Sequence, residues 1–118
     1  MNSLEQFYAS VGSNASEIIK RLGGDSSLVT RFLSKFQADG SFSRLCEALD
    51  SGETETAFRM AHTLKGLSAN LGLQTLFEQA SNVTELLRAG NLEDAKAALP
   101  ALEREYNNVL EGLKNLNK

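Results

Sequence analysis

Apolar residues in this chain recur at intervals of three and four, and no segment alternates apolar with polar as a half-buried strand would. From Ser26 to Asp50, the residues Leu28, Phe32, Phe36, Phe42, Leu45, Cys46 and Leu49 follow mostly helical spacings. From Glu53 to Asn70, a second stripe runs through Ala57, Met60, Ala61, Leu64 and Leu67 and on to Leu71. Leu76, Phe77, Ala80, Val83, Leu86 and Leu87 form a third, between Leu73 and Ala89. Leu, Ala and Glu are abundant while Val, Ile and Thr are sparse, a balance that favours helix over strand. The chain is therefore expected to be all-α.

Glycine separates the stripes. Gly23-Gly24 can end a short helix from Ala15 to Leu22 that follows Gly12-Ser13-Asn14, and Asp25 can N-cap the next helix. Asp39-Gly40-Ser41 interrupts the stretch from Ser26 to Asp50, but one glycine costs only about 1 kcal/mol in a helix. The expectation is one long helix, bent at Gly40. Ser51-Gly52, Gly72 and Gly90-Asn91 mark the later turns, with Asn91 as an N-cap. In the last stretch, Leu92 to Leu116, Pro100 removes a helical hydrogen bond and crowds the preceding turn. A short helix to about Leu99 and a longer one beginning at Pro100 are expected. Short connections make neighbouring helices antiparallel. The architecture expected is an antiparallel up-and-down four-helix bundle with an additional short N-terminal helix over one end.

The 118 residues amount to a single domain, 1–118, with 42% hydrophobic residues to build one core. No apolar run approaches the roughly 20 residues that span a bilayer. Met1 to Gln6 lacks the basic start and apolar core of a signal peptide. One cysteine, Cys46, permits no internal disulfide and reads as a small buried helix residue in a reducing, cytoplasmic setting. Twelve basic and 15 acidic residues give a net charge of −3, without the basic stripe of a nucleic-acid binder. One His, one Cys and two Met do not make a credible metal or haem ligand set.

The only histidine, His62, lies in the helix spanning about 53–71, with Lys65 three and Gly66 four residues on. These offsets put all three on one face, beside the core stripe and towards solvent. A neutral imidazole has a free lone pair that can attack an acyl phosphate and become phosphohistidine. Lys65 can offset the incoming negative charge. Gly66 costs the helix stability, so either close helix packing or access to His62 must justify it. Phe58, one turn before His62, and Ala69, two turns after, are candidates for an apolar docking patch, although a helical Phe more commonly turns into the core.

Ala61-His62-Thr63-Leu64-Lys65-Gly66, followed by Ala69-Asn70-Leu71-Gly72, resembles the signature of histidine-containing phosphotransfer (HPt) domains. Arg21-Leu22-Gly23-Gly24-Asp25, Leu49-Asp50-Ser51-Gly52-Glu53, Arg88-Ala89-Gly90-Asn91-Leu92 and Leu99-Pro100-Ala101-Leu102-Glu103 resemble other parts of that family. The resemblance implies a four-helix bundle that carries phosphoryl groups between receiver-domain aspartates in a multistep His–Asp phosphorelay of two-component signalling. It implies His62 as phosphoacceptor, Lys65 as the phosphate-stabilising residue and Gly66 as the access position. It also implies Mg²⁺ on the receiver, no cofactor on this chain and no kinase or ATPase activity. The absence of a G-x-x-x-x-G-K-[ST] loop agrees with the last point. Family members often place a Gln or Glu on the following helix to orient the histidine. Thr84 falls there with Glu85 beside it, so both are candidates for that role as well as ordinary solvated positions.

The partners implied are response-regulator receivers and a hybrid sensor histidine kinase, with no nucleic acid and no membrane, and the chain is expected to be a monomer. Starting at methionine and ending soon after the last helix suits a free-standing carrier; a domain from a larger sensor kinase reads the same way. The competing expectation is a non-catalytic bundle that docks a receiver or kinase without accepting phosphate.

Overall fold

The computed structural model describes residues 3–116, so Met1, Asn2, Asn117 and Lys118 of the expected domain lie outside the described residues. Within it the chain folds into helices α1 (Ser3–Ser10), α2 (Ala15–Arg21), α3 (Ser26–Ala38), α4 (Ser41–Ser51), α5 (Thr54–Asn70), α6 (Gln74–Arg88) and α7 (Leu92–Leu116). No strand occurs among the described residues. None of these helices is long and apolar enough to cross a membrane.

The apolar stripes meet in one core. Leu33, Leu45, Leu49, Leu64, Leu76, Leu102 and Leu113 are each at most 1% exposed, and burial of one such side chain is worth roughly 1.5–3 kcal/mol. The histidine-bearing helix α5 packs between α4 and α6, and α6 packs in turn on α7. Cys46 is half-buried in α4 rather than fully enclosed.

Three sequence expectations need correction. First, the stretch Ser26–Asp50 is two helices, not one bent helix. Asp39 leaves helical geometry at φ −72°, ψ 134°, and its carboxylate accepts the Ser41 backbone N–H at 2.8 Å. The side chain thus competes with the helical ladder and starts α4. Second, α7 runs without interruption through Pro100. Pro100 is exposed, so its ring faces solvent and the carbonyl it leaves unpaired one turn earlier can be hydrated. Third, two helices rather than one precede the bundle. The unforeseen α1 buries Leu4, Phe7 and Tyr8 and packs on α7.

The α1–α2 unit also closes the C-terminal end of α5, where a helix leaves carbonyls unpaired. Arg21 donates to the Ala69 carbonyl at 3.1 Å, Tyr8 to that of Leu71 at 2.8 Å, and Ser13 to that of Gly72. These contacts hold the helix that carries His62 at the end remote from its start.

Candidate functional site

Helix α5 runs from Thr54 to Asn70, with Ala57, Ala61, Leu64 and Ser68 as its buried face. That face fixes where the other side chains point. His62 follows Ala61 and is exposed; Lys65 is partly exposed and Gly66 exposed. The three therefore share the solvent side of α5. No side chain among the described residues hydrogen-bonds His62, and Lys65 makes no ion pair there, so both keep their polar atoms available.

The glycine is informative. A Cβ built at Gly66 would meet no heavy atom within 4 Å beyond its own chain neighbours and the backbone of its own helix. Close packing of a neighbouring helix therefore does not account for it. Gly72 is the opposite case: at φ +66° a Cβ would overlap the Ile18 side chain, so the α5–α6 turn needs glycine both for its backbone and for the approach of α2.

Phe58 is partly buried, packed against the core and also stacked on His62, with ring centroids 6.0 Å apart and planes 18° from parallel. Its other neighbour is Arg88, in the last turn of α6, whose guanidinium carbon lies 5.0 Å from the Phe58 ring centroid. Arg88 in turn donates from Nε to the Glu85 carboxylate at 3.2 Å. A cation over an exposed aromatic ring contributes about 0.5–1 kcal/mol, and an exposed ion pair no more than that. An open groove lined by Arg44, Glu47, Thr56, Arg59 and Thr63 runs along α4 and α5 to the same Phe58–His62 pair.

The remaining candidates separate. Ala69 is exposed two turns beyond His62, and its carbonyl holds Arg21. Thr84 makes no hydrogen bond to His62. It is fully buried, and its hydroxyl donates to the Ala80 carbonyl of its own helix at 2.7 Å. The register of α6 turns position 84 into the core and brings 88 over Phe58 of α5. Glu85 is exposed and engaged with Arg88, so it meets the histidine only through Arg88 and Phe58. Sequence reasoning gave Arg88 no role at the site. Its one signal was a basic residue three positions after Glu85 in the last turn of α6. Among the described residues no group of three or more His, Cys, Asp and Glu could hold a metal ion.

A family model described as the Hpt domain matches residues 27–112, well over half of the chain. The match begins inside α3, so α1 and α2 lie before it. No curated protein and no solved structure matches the chain.

Proposed function

We propose a function from one premise: the chain belongs to the Hpt domain family, whose members serve histidine phosphotransfer in phosphorelays. In this reading His62 accepts a phosphoryl group from an aspartyl phosphate on one receiver domain and passes it to the aspartate of another. The observation that carries it is the exposed face of α5, where His62 and Lys65 lie beside a glycine that no packing contact requires.

The chemistry follows from those residues. The lone pair of one imidazole nitrogen attacks phosphorus. The bond between phosphorus and the aspartyl oxygen breaks, its electron pair leaves on the carboxylate, and a phosphorus–nitrogen bond forms. The ring then loses the proton on its other nitrogen, so the phosphohistidine is neutral in the ring. Lys65 offsets the charge on the phosphoryl oxygens, and the bare surface at Gly66 admits the receiver. Transfer of this kind depends mostly on positioning and charge, so few groups on this side suffice. Mg²⁺ belongs to the receiver and supplies charge neutralisation at its acyl phosphate; this chain contributes no cofactor and no ATP chemistry.

The same reading takes α3 with α4, α5, α6 and α7 as the arms of an antiparallel up-and-down four-helix bundle, supported by the short turns between them and the packing of α5 on α4 and α6. It makes the chain a cytoplasmic monomer whose partners are receiver domains and a hybrid sensor histidine kinase. Incubation with a phosphorylated receiver tests it. Wild type should gain acid-labile phosphate and His62→Gln should not. Receiver binding without labelling would instead favour the docking-module reading.

A further inference from the structure

Among the described residues no side chain of α6 hydrogen-bonds His62. His62 has a different neighbour. Its ring lies nearly parallel to Phe58 at 6.0 Å, and Arg88 covers Phe58 at 5.0 Å. The chain thus places imidazole, benzyl ring and guanidinium in sequence from α5 to the end of α6.

We infer that Arg88 is a positioning residue for His62, acting through Phe58: the guanidinium holds the benzyl ring, and the benzyl ring holds the plane of the imidazole. Phe58 is held both by packing against the core and by Arg88 over its ring. An exposed imidazole with no hydrogen bond would otherwise turn about both side-chain torsions, and its lone pair would point at an incoming phosphorus only part of the time. Stacking removes part of that freedom without using either ring nitrogen. One nitrogen stays free to attack and the other free to release its proton. Glu85 completes the chain by pairing with Arg88 on the exposed side. The arrangement bridges α5 and α6, so it also ties the orientation of the imidazole to the register of the two helices.

This inference rests on His62 as the phosphoacceptor, and its test separates the two. Full-length wild type, Phe58→Leu, Phe58→Tyr, Arg88→Gln and the double variant Phe58→Leu/Arg88→Gln are compared by NMR of the His62 ring protons and by the rate of labelling with phosphoramidate. Phe58→Leu should abolish the ring-current displacement of the imidazole protons and slow labelling roughly three- to tenfold, the range expected when one side chain's lost rotational freedom is restored. Phe58→Tyr keeps the ring and should restore both. Arg88→Gln should move the same protons part of the way and slow labelling less, and it should add nothing in the Phe58→Leu background. Unchanged imidazole resonances in Phe58→Leu would overturn the inference. So would an Arg88→Gln effect that is equally large with and without Phe58, because Arg88 would then act directly. If wild type takes no phosphate from either phosphoramidate or a receiver, the phosphocarrier reading fails while the resonances still report on the stack.

Discussion

The hydroxyl of Tyr8 donates to the carbonyl of Leu71 at 2.8 Å, joining residues 63 positions apart in the chain. Tyr8 is fully buried, and the carbonyl it meets belongs to the end of the helix that bears His62. Replacing it with Phe keeps the ring but leaves a buried carbonyl without its donor. Tyr8→Phe should cost about 1–2 kcal/mol in urea denaturation at pH 7. Burial holds the Tyr8 phenol neutral and pushes its pKa well above the ordinary value of 10.0, despite the opposing charge of Arg21. The folded-state pKa is raised, so the stabilisation is fully present below pH 10 and is lost as pH rises beyond it, where the unfolded chain ionises first. The gap between wild type and Tyr8→Phe should therefore shrink above pH 10. Tyr106, whose phenol is also pushed up by burial, is present in both proteins and cancels in the comparison.

The α5–α6 and α6–α7 turns offer a matched pair of glycines. Gly72 and Gly90 have similar backbones, at φ +66° and +80°, but only Gly72 faces a neighbour, the Ile18 side chain of α2. Gly90→Ala should cost the backbone term alone, about 1–2 kcal/mol. Gly72→Ala adds displacement of Ile18, for a total of about 2–4 kcal/mol. Trimming the neighbour in Gly72→Ala/Ile18→Ala should recover part of that extra loss, as a thermal or urea double-mutant cycle would show. Equal costs at the two glycines would mean that α2 does not press on this turn.

Asp25 starts α3 by accepting both the backbone N–H and the hydroxyl of Ser27, at 2.9 and 2.7 Å. Those bonds hold its carboxyl below the ordinary value of 3.8. A lowered native pKa stabilises the fold above the ordinary value, and the gain is lost as pH falls through the lowered one. Asp25→Ala should therefore lower Tm at pH 7, and the difference from wild type should close in acid below the carboxylate range. A difference that persists unchanged at low pH would show that the cap does not depend on the carboxylate charge.

What was legible in the sequence was local. Turns at Gly52, Gly72 and Gly90 could be read because each glycine adopts positive φ at a helix end, and glycine is the residue that tolerates it. The cap at Asp25 and the shared face of His62, Lys65 and Gly66 depend on offsets of a few residues. Helix α1 was legible in principle, since Leu4, Phe7, Tyr8 and Val11 fall at helical intervals and are all buried. The break at Asp39 depends on a side-chain hydrogen bond that competes with the helix, and propensity alone underweights it. Thr84 and Arg88 were not legible, because which α6 residue faces α5 depends on the register between two helices. The core turned Thr84 inward and left the end of the helix to meet Phe58.

In the proposed function, Gly66 sets stability against access. It is an exposed position inside a helix, with no heavy atom beyond its chain neighbours and its own helix backbone within 4 Å of where a Cβ would stand. Alanine there meets no obstacle within the protein and should stabilise the fold by about 0.8–1 kcal/mol, read as a rise in Tm or urea midpoint. The added methyl group lies one turn from the imidazole, on the surface that the proposed function gives to a receiver. Forcing a methyl group into a close-packed contact costs about 1–3 kcal/mol, so transfer from a phosphorylated receiver should fall roughly fivefold or more. Phosphoramidate needs no such surface, and its labelling of His62 should change little. A more stable Gly66→Ala protein with slow receiver transfer and normal phosphoramidate labelling would identify the glycine as an access position. Undiminished receiver transfer would remove that role and leave the cost of this glycine without a functional reason.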